Sequence, residues 1–306
     1  REICDEARAM KFISIGRSCK RQNEILTLRV SMQKNKIITS EHSKQTIMNK
    51  ISDKAYIDPN ARIGKNVTIY PFAYIEGDVV IGDNCIIYPY VSIMNGTRMG
   101  NGNRIFQNTV LGADPQDFNF RGDKSRLIIG NDNYIRENVV INRATFSDGK
   151  TVIGNKNFFM EGVHISHDTK IGHANVLGYG TKIAGNCEIG NRVIFSSGVI
   201  ANPGTRVGDV AMIQRGTRFS KDVPPFIIAS DNPVHYGGVN TTVLRNYGVD
   251  DKTLAHIANA YRLIFHGQTS LFDAINQVEE QVPDDKLVRE IIDFVRASRL
   301  GVISKM

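Results

Sequence analysis

From Ile51 onward the chain parses by six. ISDKAY, IDPNAR, IGKNVT, IYPFAY, IEGDVV and IGDNCI each open on a large apolar residue, and so do the hexads that follow as far as IFQNTV. The fifth place is mostly small or β-branched, as at Ala55, Ala61, Val67, Ala73, Val79, Cys85, Val91 and Thr97. The phase resumes at Ile129, resumes again at Ile153 and runs to IQRGTR, with Ala201 a weak lead. A second period lies over the first: Gly64, Gly82 and Gly100 are 18 residues apart, as are Gly112 and Gly130, and Gly154, Gly172, Gly190 and Gly208. Three hexads therefore make one coil with a turn at each corner, where Gly, Asn and Asp tolerate the backbone shapes best. Lead and fifth residues point inward and stack coil upon coil, about 4.8 Å apart. This places Cys85 and Cys187, both in the fifth place, in the core. The expected fold is mainly β, a parallel solenoid in which each coil buries its core only against its neighbours.

Two stretches break the phase without shifting it: residues 113–127, ADPQDFNFRGDKSRL, and residues 145–150, TFSDGK. Both read as loops thrown out from a corner, the kind of place where a rigid scaffold carries binding groups. The repeat ends near Val223, before Pro224 and Pro225. Helical spacing then appears, with Leu254, Ile257, Ala258, Tyr261, Ile264 and Phe265 on one face and Gly267 as a stop. Two further helices fit residues 270–282 and 285–299. The expected organisation is an extension over 1–47, a β-helix over 48–228 and a small helical domain over 229–306.

Charge narrows the function. The net charge of +7 is concentrated at the front, where residues 1–47 hold 10 Lys and Arg against 5 Asp and Glu, leaving 28 against 26 for the rest. A nearly neutral body gives no electrostatic footprint for nucleic acid. The basic segment before Met48 reads either as a genuine extension or as residues foreign to a chain that starts at Met48. No apolar run reaches the ~18–20 residues of a membrane span, and no apolar signal core marks the N-terminus, so a cytoplasmic setting is expected. The four cysteines form no CxxC pair or ligand cluster and read as reduced thiols.

Histidine is the usual side chain for moving protons near neutral pH. His167 lies two places after the lead Ile165 and points outward, with Asp168 beside it to orient or stabilise an imidazolium. His164, just before that lead, also faces out. By position alone the pair also fits two solvated histidines. One coil onward from His167 stand Gly185 and Asn186; one coil back, with the six-residue loop discounted, stand Asn142 and Arg143. A Gly amide beside a basic His suits an oxyanion in acyl transfer, and the Asn groups suit sugar hydroxyls. A metal site is not expected, because His173 is a third of a coil from His167 and faces another side.

These residues resemble the acyl-carrier-protein-dependent UDP-N-acetylglucosamine O-acyltransferases, which are hexapeptide-repeat enzymes that open lipid A synthesis. The likeness spans about residues 48–303: Pro115-Gln116-Asp117, IRENVVINR at 135–143, HISHD at 164–168, DVPPFIIA at 222–229, GVN at 238–240 and NAYRLIF at 259–265. The resemblance implies a left-handed β-helix that works as a homotrimer and needs no cofactor beyond its donor, acyl carrier protein carrying phosphopantetheine. It implies that His167 takes the proton from the sugar 3-hydroxyl, that the Gly185 amide holds the oxyanion, and that Gln116 and Asp117 reach the sugar or acyl chain. His164 and Asn240 would help bind the UDP-sugar, with Arg245 left from the family's basic cluster, while Asn142 and Asn186 are sugar-binding candidates from coil position alone. Asn119, Asn186, Asn202-Pro203 and Asn246-Tyr247 depart from the family pattern. They motivate a second expectation, a paralogue that acylates the oxygen or nitrogen of another nucleotide sugar. A third is a scaffold without catalysis, against which the retained His167 and Asp168 argue.

Overall fold

Almost every hexad forms a two-residue strand whose second residue is its lead, from Lys50–Ile51, Tyr56–Ile57 and Arg62–Ile63 through to Arg218–Phe219. The computed structural model describes residues 48–267 and 269–304; the expectation for 1–47 lies outside these. Strands recur in three parallel sheets of 11, 9 and 8 strands among the described residues, the first with an antiparallel end, each taking every third hexad. The first sheet runs through Ile51, Ile69 and Ile87, the second through Ile57, Ile75 and Ile93, the third through Ile63, Ile81 and Met99. The architecture is a left-handed parallel β-helix. As far as Arg218–Phe219 partners are 18 residues apart except at the insertions, where Ile105 pairs with Ile135 and Ile135 with Phe159, so the six-residue phase is kept across both.

Inward places are filled as predicted. Leads from Ile69 to Phe219 are almost wholly buried, and Cys85 and Cys187 are buried free thiols. Burial pushes both thiols above the usual cysteine range. At the corner between the third and first sheets the fifth place holds Asn103, Asn133, Asn157 and Asn175, all buried. Each side-chain oxygen takes a backbone N–H from the next coil, as Asn133 Oδ1 does from Asn157 at 2.9 Å and Asn157 Oδ1 from Asn175 at 2.9 Å. A buried amide oxygen satisfied in this way avoids the desolvation cost of roughly 1–3 kcal/mol; the Asn175 amide nitrogen has no partner among the described residues.

The glycine period has a different cause from the one expected. The left-handed backbone falls at the fourth place of the hexad, with φ of 55° at Asn66, 59° at Asn84, 58° at Asp168 and 60° at Asn186. The 18-residue glycines sit in the second place, where coils nearly touch: a Cβ on Gly172 would lie 2.6 Å from the Gly190 carbonyl oxygen. Close approach, not φ, demands glycine there, except at Gly112, where the first insertion leaves the coil and φ is 76°.

Past Pro225 the first sheet gains one more strand, Ile227–Ser230, and an antiparallel partner, His235–Val239. Four helices follow: α1 Thr241–Asn246, α2 Asp251–His266, α3 Leu271–Gln281 and α4 Lys286–Arg296. Asp250, Ser270 and Asp285 cap the last three by accepting from Thr253, Asp273 and Leu287. On α2, Leu254, Ile257, Tyr261 and Phe265 are buried as predicted, but Ala258 is exposed while Ala260 and Leu263 are buried. The helix is covered over a wider arc than one stripe. The tail returns to the coil end, where the Ile303 N–H donates to Asp222 at 2.9 Å and the Tyr236 N–H to Ser304 at 2.9 Å.

Candidate active site

The two insertions leave the solenoid at the corner between the second and third sheets and close on each other. Asp123 accepts from the Ser147 hydroxyl at 2.7 Å, Gly149 accepts from the Arg126 N–H at 3.0 Å, and Arg143 pairs with Asp114 at 2.8 Å. Beneath them lies His167, with only 14% of its side chain exposed. A corner histidine that hexad phase leaves in solvent is thus roofed by chain that has no phase.

Four groups surround the ring. Nδ1 lies 2.9 Å from Asp168 Oδ2 and 3.0 Å from the Thr145 hydroxyl. Nε2 lies 3.9 Å from Asp117 Oδ2. Gly185 covers the ring so closely that a Cβ on it would stand 2.6 Å from Nε2. The Asp168 carboxylate also accepts from the Thr145 N–H at 3.1 Å, and the Asp168 N–H donates to Thr151 at 2.9 Å. Asp168 is therefore fixed, and an ionised carboxylate only accepts. The ring proton belongs on Nδ1, which leaves the Nε2 lone pair facing out. Asn119 holds the Asp117 carboxyl below the usual carboxylate range by donating its backbone N–H; the Thr145 hydroxyl and His167 act in the same direction.

The structure brings His167, Asp168, Gly185 and Asp117 together. Gln116 is exposed on the same loop, and Asn142 is buried, its amide donating to the Asp114 carbonyl at 2.6 Å. Asn186 lies over His167 and donates its N–H to the His167 carbonyl at 3.0 Å, leaving its side chain exposed. His164 Nε2 meets the Ser166 hydroxyl at 3.0 Å; burial, helped by the Lys182 ammonium, pushes His164 below the ordinary histidine range. Asn240 and Arg245 are not gathered here. The Asn240 amide donates to the Val210 carbonyl at 3.0 Å, at the corner between third and first sheets, and Arg245 pairs with Asp251 at 3.0 Å. Sequence reasoning missed Thr145, whose place inside an insertion gave no phase to read. Among the described residues no group of three or more His, Cys, Asp or Glu gathers as a metal site, and no helix is long and apolar enough to cross a membrane. A groove of about 1180 Å³ lies elsewhere, between the third sheet and α4, lined by Lys170, Gly190, Arg206, Glu290 and Phe294 among others. Its lining includes ion pairs such as Lys170 with Glu188 at 3.2 Å, but no histidine.

Comparison with known proteins agrees with this fold. Residues 60–95 match the bacterial transferase hexapeptide model, and residues 222–303 match the model of UDP-N-acetylglucosamine O-acyltransferase, domain 2. The fold and these matches together define an acyltransferase of the hexapeptide-repeat class. The acyl-[acyl-carrier-protein]–UDP-N-acetylglucosamine O-acyltransferase of Thermodesulfovibrio yellowstonii is 38% identical, over 83% of this chain and 99% of its own. That of Sulfurihydrogenibium sp. is 43% identical, over 83% of this chain and 94% of its own. The crystal structure of LpxA, a UDP-N-acetylglucosamine acyltransferase from Bacteroides fragilis, superposes with a TM-score of 0.81 at 47% identity, covering 82% of this chain and 99% of that one. The chain belongs to the acyl-[acyl-carrier-protein]–UDP-N-acetylglucosamine O-acyltransferase family.

Proposed function

We propose that this protein transfers a 3-hydroxyacyl group from acyl carrier protein to the 3-hydroxyl of UDP-N-acetylglucosamine, the first step of lipid A synthesis, with His167 as general base. The observation that carries the reading is the ring itself, with Nδ1 held by Asp168 and Nε2 left open beneath Gly185. Nε2 takes the hydroxyl proton as the sugar oxygen attacks the thioester carbonyl. The oxyanion so formed is within the chemistry of the Gly185 N–H, for which no carbonyl partner appears among the described residues. Collapse breaks the C–S bond, and the imidazolium returns its proton to the departing phosphopantetheine thiolate. Two carboxylates, Asp117 and Asp168, stand on either side of the ring as counter-charges to the cation formed in the step.

On this reading the working unit is a homotrimer, in which Asn240 and Arg245 of one chain reach a cleft that opens on His167 of the next. Gln116, Asn142, His164 and Asn186 line the sugar side. The site acts on soluble partners in the cytoplasm. The test is turnover of purified protein with 3-hydroxyacyl carrier proteins and a panel of UDP-sugars. Acylation of UDP-N-acetylglucosamine at O3 is expected; turnover confined to another sugar, or to an amine, overturns the substrate assignment.

A further inference from the structure

We propose that Thr145 is a positioning residue that acts as a spacer: its hydroxyl holds the Asp117 carboxylate away from His167 Nε2 and so keeps that nitrogen open to the attacking hydroxyl. The proposal rests on the reading of His167 as general base and adds a residue whose place in the hexad pattern carries no signal.

The two oxygens of Asp117 are held by different partners. Oδ1 accepts from the Asn119 backbone at 2.9 Å and from its side-chain amide at 3.1 Å. Oδ2 accepts from the Thr145 hydroxyl at 3.0 Å, its one hydrogen bond among the described residues. The same hydroxyl oxygen stands 3.0 Å from His167 Nδ1. A hydroxyl has one proton and two lone pairs. Ionised Asp117 can only accept, so the proton points to Asp117 and a lone pair receives Nδ1–H, shared with Asp168. Thr145 thus bridges the acid and the side of the ring that does no chemistry. Its own position is fixed, since it is fully buried and its N–H is bonded to Asp168.

Distance shows what the bridge prevents. Asp117 Oδ2 is 3.9 Å from Nε2, close enough to attract a protonated ring but beyond hydrogen-bond reach. A carboxylate free to turn would close about 1 Å and take Nε2 as an ion-paired partner at about 2.8 Å. The nitrogen that must accept the substrate proton would then already be engaged. Other groups facing the ring do not compete. Asp168 is on its own corner and meets Nδ1. Gly185 and Asn186 from the next coil are uncharged, and Arg143 from the preceding coil is paired with Asp114. Lys182 faces His164.

Thr145→Val keeps the shape and removes the hydroxyl, and Thr145→Ser keeps the hydroxyl; melting curves check that both fold. In a crystal structure of the Val variant, Asp117 Oδ2 is expected within hydrogen-bond distance of Nε2. In turnover assays the acid limb of the kcat/KM profile should move to higher pH by about one unit, with roughly a tenfold loss on that limb and a smaller loss at neutral pH. Thr145→Ser should restore both, and adding Asp117→Asn to the Val variant should bring the limb back. An Asp117 that stays at its present separation, or a loss uniform across pH that Asp117→Asn leaves unchanged, overturns the spacer. The crystallographic arm reads the proposal even if the native enzyme proves to use another sugar, so the two failures are distinguishable.

Discussion

His167 and His173 occupy the same place in their hexads, two residues after Ile165 and Ile171, yet they have different surroundings. His173 sits at the corner between third and first sheets, in a column of side chains that each accept a backbone N–H from the coil before. Asp83, Asn101, Asn131, Asn155, Asn191 and Asp209 form the rest of that column, and His173 Nδ1 accepts from the Asn155 N–H at 2.9 Å. Its lone pair is spent on structure. His167 sits one corner earlier, where two insertions bring Asp117 and Thr145 to the ring and Gly185 leaves room above it. A repeat position fixes which way a side chain points. The departures from the repeat decide whether it does chemistry.

The comparison breaks most sharply under paired substitution. His167→Ala should lower kcat by about 10³-fold, the range for loss of a general base, while melting stays near the native temperature. His173→Asn, which puts into the column the residue it already uses at Asn155 and Asn191, should leave kcat within about twofold of native, as expected for a site with no role in the chemistry. Comparable losses from both would erase the distinction between the corners.

Gly185→Ala sharpens the contrast, because it inserts a methyl group 2.5 Å from the His167 ring edge. The ring must tilt, and kcat should fall by about 10²-fold with KM for the sugar changed less. An unchanged kcat would show that the ring has slack that the structure does not suggest.

The smallest effect belongs to the structural corner. Burial pushes Glu290 on α4 up to about 7, helped by Asp209 at the end of the column and opposed by Lys286. Its folded state holds a proton that the unfolded chain releases from about 4.5 upward. Stability should therefore decline as pH rises from about 4.5 to about 7 and then level, and Glu290→Gln should flatten that slope. Melting temperature against pH for both proteins is the check. A slope that survives the substitution would place its cause elsewhere.

The fold was almost wholly legible because every coil repeats the same steric demand, so the leads and fifth places declare themselves many times over. The left-handed fourth place was harder to see, since residues as unlike as Phe72, Ala174 and Val210 adopt it. The glycine period was visible while its cause, contact between successive coils, required coordinates. At the site, His167, Asp168 and Gly185 followed from coil arithmetic. Thr145 did not, because an insertion has no period from which to read direction. Asn240 and Arg245 came from resemblance, and in the single chain their polar groups serve Val210 and Asp251.

The most direct measurement of the central claim is the protonation state of the His167 ring in the resting protein, read from the nitrogen-15 shifts of labelled histidine with His167→Ala as the assignment control. The account predicts a neutral ring with its proton on Nδ1 and a bare Nε2. A proton on Nε2 with Nδ1 bare would contradict it, because the nitrogen beneath Gly185 could then accept nothing from the substrate.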